Sequence, residues 1–368
     1  MTNVRHVLGI SGGKDSAALA IYLTMSYPEL PVEYYFMDTG KELEETYQFI
    51  DDLEVFLGKT ITRLEAAMGS PVAPFDHYLA LYGGYLPSVQ ARWCTRKLKL
   101  EPFERFFVGD TPAISYVAIR EDEDREGYIS HKPNIQSIFP FRRNIWSKDI
   151  ISKVLASQNR RLLADLYADY SEGDIRHSAT ELVNRPESPK FNKIRKLNML
   201  LDLSASTFNQ VVFAALKTFD CPMALLEKYS LLHDENAIDR DGVFRLLDES
   251  GVGKPRYYDP IEFEFGGKKG YYNRSRSGCY FCFFQQKIEW VWLYEQHPER
   301  FAQAAAYEKE GFTWMDEESL EELVRPERIA EIKETHLHSR AHEQTSISAY
   351  LLDVLDESEG VGCAACFI

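Results

Sequence analysis

Nowhere does the chain run to the roughly 20 consecutive apolar residues that a membrane-crossing helix needs, so it reads as a soluble protein. Cysteine is scarce, six in 368 residues. In a reducing compartment so few thiols do not form a disulfide framework, and where they cluster they point to metal ligands or catalytic sulfur. Positive charge is in deficit, with 42 Lys and Arg against 57 Asp and Glu and a net charge of −15. That balance excludes a protein that grips nucleic acid over a wide surface unaided. The first residues, Met1 to Leu8, enter an apolar strand without a cleavable leader, and the expected location is the cytoplasm. Internal repeats and low-complexity segments are absent. So are the Walker pattern G-x-x-x-x-G-K-[ST] and the dinucleotide fingerprint G-x-G-x-x-G.

What is present is an α/β pattern. His6 to Ile10 reads as a buried strand, Asp15 to Tyr27 as a helix stopped by Pro28, and Val32 to Met37 as a second strand. A helix from Leu43 to Leu57 ends at Gly58, and Thr60 to Leu64 gives a third strand. Ile114 to Ile119 reads as a further parallel strand. From about Trp146 to Leu247 the pattern is helical, broken by Arg185-Pro186-Glu187-Ser188-Pro189, and helices resume from about 285 to Asp356. The expected architecture is a parallel-sheet nucleotide-binding α/β domain over 1–158, a helical insertion over 159–250 and a cysteine-containing region over 251–368 that completes the active site. Ligands of such sheets sit at the carboxyl ends of the strands.

Ser11-Gly12-Gly13-Lys14-Asp15-Ser16 falls between the first strand and the first helix. Two glycines let the backbone turn so that several N–H groups and the positive helix end face a phosphate. Lys14 adds a full charge, and Ser11 and Ser16 add hydroxyl donors. Asp15 either holds the loop or a Mg²⁺ ion, or caps the helix. Asp38-Thr39-Gly40-Lys41-Glu42 closes the second strand, where Asp38 is either a nucleotide neighbour or the start of an Asx turn.

Together these runs resemble the S-G-G-x-D-S loop of the PP-loop ATP pyrophosphatases and the D-T-G-x-E of their phosphoadenosine phosphosulfate (PAPS) reductase branch. The resemblance implies ATP bound with Mg²⁺ by Ser11, Gly12, Gly13, Lys14, Asp15, Ser16, Asp38, Thr39 and Gly40, and cleavage between the α- and β-phosphates. Arg120, with Glu123 and Arg125, resembles the branch's G-x-R-x-x-E-x-x-R, with Ala118 in place of the glycine and the second arginine out of step. Arg120 can then clamp a phosphate. Phe139 to Ile150 resembles a packing element of the same branch, and Asp239 to Pro255 reads as a second version of it. Trp146 is read as core.

Cys279 and Cys282 form a C-x-x-C. Beside Trp93-Cys94-Thr95-Arg96-Lys97-Leu98-Lys99 it resembles the cysteine segments of iron–sulfur members of the group, including DNA phosphorothioation proteins of the DndC and SspD kind. That implies a [4Fe–4S] cluster on Cys94, Cys279 and Cys282, either with one iron open or with Cys363 or Cys366 as fourth ligand. Zinc on Cys279, Cys282, Cys363 and Cys366 is the alternative, and unmetallated thiols a third. Cys221 reads as buried filler in a helix. Basic neighbours Arg92, Arg96, Lys97 and Lys99 either lower the Cys94 thiol pKa and bind phosphate or form a solvated face, and Arg274 and Arg276 are further phosphate candidates.

The resemblance implies a sulfur-insertion enzyme in which Lys14, Asp15, Asp38, Arg120 and Cys94 carry the chemistry. It would activate a nucleic-acid oxygen, most directly a DNA backbone phosphate, with ATP. A cysteine desulfurase would supply sulfur, and a DNA-binding or DNA-nicking partner would present the substrate. The alternatives are a sulfonucleotide reductase, a tRNA thiolation enzyme and a nucleotide-binding scaffold of a phage-defence complex.

Overall fold

The computed structural model describes residues 4–345 apart from 108, 126–129, 131, 310 and 316, and over 339–345 the backbone alone. Five parallel strands, β1 (Arg5–Ile10), β2 (Val32–Asp38), β3 (Ile61–Glu65), β4 (Ala113–Tyr116) and β5 (Ile135–Ile138), lie in the order β3-β2-β1-β4-β5. The period of two along these strands sends alternate side chains to two different cores. Leu8, Ile10, Tyr34 and Phe36 join one core, whereas Val7, Tyr35 and Met37 join another on the opposite face with Phe103 and Phe107. Burial on both faces is why these strands read as continuous apolar runs.

Helices α1 (Lys14–Ser26) and α2 (Glu44–Leu57) return the chain between the first three strands. Gly58, with a φ of 60°, ends α2 in the left-handed conformation that glycine adopts without strain. Next come α3 (Pro74–Leu81) and one continuous helical run made of α4 (Trp93–Thr95), a π turn over Arg96–Leu100 and α5 (Glu101–Phe106). Pro102 has no N–H to offer the Leu98 carbonyl, which accounts for the widened turn just before it.

After β5 the helices α6 (Lys148–Val154), α7 (Arg160–Tyr170), α8 (Gly173–Asn184), α9 (Lys193–Leu203), α10 (Ala205–Leu216) and α11 (Arg240–Ser250) follow. Their apolar residues, from Leu163 to Leu247, enter the same core as Leu8, Ile10 and α1. Trp146 is buried in it as well. Cys221 lies half-buried in a turn and not in a helix, because Pro222 follows it.

A hairpin of β6 (Ile261–Phe265) and β7 (Lys268–Tyr272) was not anticipated from the sequence. Gly266 and Gly267, both at positive φ, make its two-residue turn. Helices α12 (Lys287–Gln296), α13 (Pro298–Ala305), α14 (Leu320–Leu323) and α15 (Pro326–Thr345) complete the described chain. With Phe75, Trp93 and Leu98 this C-terminal part builds a separate aromatic-rich core. The strand expected over Ile114 to Ile119 is laddered on both sides only over Ala113–Tyr116, since the register with β1 and β5 ends there. No single helix among the described residues is long and apolar enough to cross a membrane.

Candidate nucleotide and thiol site

The Ser11–Ser16 loop is held in shape by its own side chains. Ser16 Oγ accepts from the Ser11 N–H at 3.0 Å and lies 3.1 Å from Ser11 Oγ, and Ser11 Oγ accepts from the Gly13 N–H at 3.3 Å. Gly12 sits at φ 71°, and a Cβ there would fall 2.3 Å from Thr46 Cγ2. Gly13 precedes α1 with no side chain capping the helix, so the first-turn amides carry no side-chain partner from that residue. That arrangement sets backbone N–H groups and a helix N-terminus at the carboxyl edge of β1, the geometry in which an anion can be held.

Asp15 does not cap the helix. Its carboxylate accepts from Arg120 Nη1 at 2.8 Å and pairs with Lys14 Nζ at 3.4 Å. Burial alone would push this carboxyl up, but Lys14 and Arg120 outweigh it and hold Asp15 below its ordinary value. Arg120, 0% exposed, also binds Asp122 at 2.9 Å, and its backbone N–H donates to Glu123 Oε2 at 2.9 Å. It therefore stands in the structure as the organiser of three carboxylates beside the loop.

Asp38 ends β2 and accepts from the Gly40 N–H at 2.8 Å and the Tyr47 hydroxyl at 2.9 Å, the Asx geometry, at the strand's carboxyl end. Glu42 is buried, takes hydrogen bonds from Thr39 Oγ1 at 2.7 Å and Tyr47 at 3.0 Å, and is pushed up to about 7 by burial and by Asp38. Thr39 Oγ1 also lies 3.2 Å from Cys279 Sγ.

This contact joins the two halves of the site. The segment 274–282 is rooted where Glu289 Oε1 accepts from the Ser275 N–H at 2.7 Å. Ser277 Oγ donates to the Ser11 carbonyl at 3.3 Å, and a Cβ on Gly13 would fall 2.5 Å from that hydroxyl. Tyr280 N–H donates to the Lys41 carbonyl at 2.8 Å, and the Tyr257 hydroxyl donates to the Gly12 carbonyl at 3.1 Å. Tyr258 sets its ring 5.5 Å from Lys14 Nζ. Ser277, Tyr257 and Tyr258 were not singled out in the sequence, because nothing local marks a residue that meets the loop from more than 200 positions away.

Cys94, Cys279 and Cys282 line one cavity of about 60 Å³ together with Thr39, Lys99 and Arg276. Desolvation around its sulfur, then Glu42, push the Cys279 thiol well up, with Lys99 acting the other way. Soft thiol donors suit iron–sulfur or zinc. Among the described residues, however, no three His, Cys, Asp or Glu side chains converge as a ligand set. Cys363 and Cys366, the expected sources of a fourth ligand, lie outside the described residues.

Residues 5–137 match the phosphoadenosine phosphosulfate reductase domain family. This match spans the loop, the Asp38 motif, Cys94 and Arg120. The chain is 32% identical over 145 residues to the uncharacterized protein MJ0066 of Methanocaldococcus jannaschii, covering 36% of this chain and 28% of that protein. It is 28% identical over 156 residues to the uncharacterized nin region protein ORF290 of Escherichia phage lambda, covering 36% of this chain and 52% of the relative. A second Methanocaldococcus jannaschii protein, uncharacterized MJ0973, is 28% identical over 159 residues, with 40% and 36% covered. The chain thus spans between 28% and 52% of the length of these relatives. No solved structure matches it.

Proposed function

We propose that the protein is an ATP pyrophosphatase that adenylates a nucleic-acid oxygen, a DNA backbone phosphate in the leading reading, and replaces it with sulfur. The observation that carries this is the contact of Thr39, in the nucleotide motif, with Cys279, in the thiol cavity. Activation and sulfur delivery then share one wall. The substrate oxygen attacks the α-phosphorus of ATP held with Mg²⁺ on Ser11–Ser16, pyrophosphate leaves, and AMP becomes the leaving group for the second step. Lys14 neutralises charge developing on the phosphates, and the Asp15–Arg120 pair holds the loop in register.

Because no three ligands converge among the described residues, the sulfur travels on thiols in this reading. Cys94, in the basic segment around Arg92 and Arg96, accepts a persulfide sulfur from a cysteine desulfurase. Its terminal sulfur attacks the adenylated phosphorus and AMP departs. Cys282 then attacks the Cys94 sulfur, forming a disulfide and freeing the thiophosphate, and a dithiol reductant restores both thiols. A [4Fe–4S] cluster on Cys94, Cys279 and Cys282, or zinc, is the competing use of the same residues. A DNA-binding or DNA-nicking partner supplies the basic surface that an acidic chain lacks.

Anaerobic purification with iron and sulfide analysis, joined to an assay of pyrophosphate release, tests the reading. Pyrophosphate and AMP are expected, and Cys94→Ser keeps pyrophosphate release while abolishing sulfur incorporation. Inorganic phosphate and ADP as products contradict it. The domain match favours one other reading, reduction of a sulfonucleotide, in which no pyrophosphate is released and a sulfonucleotide itself is consumed.

A further inference from the structure

Phe283 and Phe284 follow the C-x-x-C directly, both line the thiol cavity, and both are partly buried, Phe284 against the core of Val7, Tyr35 and Phe103. Their ring centroids lie 4.4 Å apart at an interplanar angle of 41°, and the Arg92 guanidinium stands 5.1 Å over the Phe284 ring. A row of guanidinium and two aromatic faces beside a reactive cavity is a stacking surface, and stacking tolerates any base because every base has a π face.

The charge around it runs against the rest of the chain. Residues 92–101 carry four basic side chains, Arg92, Arg96, Lys97 and Lys99, against one acid, Glu101, while 274–282 adds Arg274 and Arg276 with no acid. Glu101 engages Lys97 at 2.6 Å and stands 3.9 Å from Arg96, which offsets part of that charge. Of the basic side chains, Lys99 and Arg276 line the cavity itself, while Glu42 acts on Cys279 from the nucleotide-motif side. In a protein of net charge −15 two cations at one cavity are matched to an anion, and phosphate is the anion that comes attached to a stackable ring. The cavity, about 60 Å³, admits a few water-sized particles and not a nucleobase. The ring therefore stays outside on the aromatic pair while a phosphate or a sulfur atom occupies the space between the thiols.

We infer that an unpaired nucleotide docks here, its base stacked on the Phe283–Phe284 pair and its flanking phosphate turned toward Arg276, Lys99 and the thiol cavity. This rests on the reading of the protein as a nucleic-acid sulfurating enzyme and adds a requirement to it: the strand must be presented single or locally opened, because a base inside a duplex has no free face.

Fluorescence anisotropy with a strand of about 12 nucleotides tests this on the full chain. Four arms are compared: the single DNA strand, the same strand with abasic central positions, its blunt duplex, and the RNA of the same sequence. The intact single strand is expected to bind about tenfold more tightly than the abasic strand or the duplex. Phe283→Leu, which keeps apolar bulk without a ring, is expected to erase the difference between intact and abasic strands, and Phe283→Tyr to keep it. Arg276→Ala is expected to weaken intact and abasic strands alike. Tighter binding of the RNA arm supports the dock and names RNA as the source. Equal binding of intact strand, abasic strand and duplex overturns the inference, as does an undiminished difference in Phe283→Leu. Pyrophosphate release measured on the same samples separates the two claims: release without strand binding removes the dock alone, and strand binding with ADP as product removes the adenylation reading alone.

Discussion

At the scale of single residues, the loop depends on one backbone conformation and one buried charge pair. Gly12→Ala is expected to lower the melting temperature and to remove ATP binding measured by calorimetry. The positive φ and the 2.3 Å approach to Thr46 both oppose a Cβ, and no flexible chain end is there to yield. Asp15→Asn takes away the carboxylate facing Arg120 and is expected to cost about 3 kcal/mol in denaturant unfolding. The pH dependence follows from the same pair. Asp15 titrates below its ordinary 3.8 in the folded protein. Its contribution is thus complete above that value and is lost as pH falls through the lower folded value. Wild-type stability therefore drops more steeply than that of Asp15→Asn below about pH 4. A parallel acid limb in the two proteins counts against the pair.

Among the elements, the segment 274–282 and the turn at Tyr257 act as a strap from the C-terminal core to the loop. Tyr257→Phe keeps the ring and deletes the hydroxyl that donates to Gly12. It is expected to cost about 1 kcal/mol of stability and to weaken ATP binding more than that loss alone explains, measured by unfolding and by calorimetry. The βαβαβ order, the loop and the Asp38 turn were legible because their signals are local: glycines at a strand end, apolar periods of two and 3.6, and a break at Pro28 or Gly58. The hairpin β6–β7 carries a readable local sign, Gly266-Gly267 directly after the alternation Glu262-Phe263-Glu264-Phe265. The strap's contacts had no such sign. They pair residues more than 200 positions apart, and only the fold brings Ser277 to Ser11 or Cys279 to Thr39.

For the whole molecule, the sheet and the helices from α7 to α11 share a single apolar core. A chain cut after residue 158 leaves Leu8, Ile10 and α1 without the cover of Leu163 to Leu247. It is expected to lose cooperative unfolding and to bind a hydrophobic dye, whereas a cooperative melt of that fragment would show that the helices dispense with the shared core. Against the chain's acidic background a few basic residues gather near the loop: Lys14 within it, Arg92, Arg96, Lys97 and Lys99 in the 92–99 turn, and Arg274 and Arg276 in the strap. The most direct measurement of this account is a crystal structure with a non-hydrolysable ATP analogue and Mg²⁺. The triphosphate is predicted on the amides of Gly12 to Ser16 with Lys14 beside it and Ser277 in contact. Nucleotide bound elsewhere, with the Ser11–Ser16 turn unaltered and vacant, would contradict it.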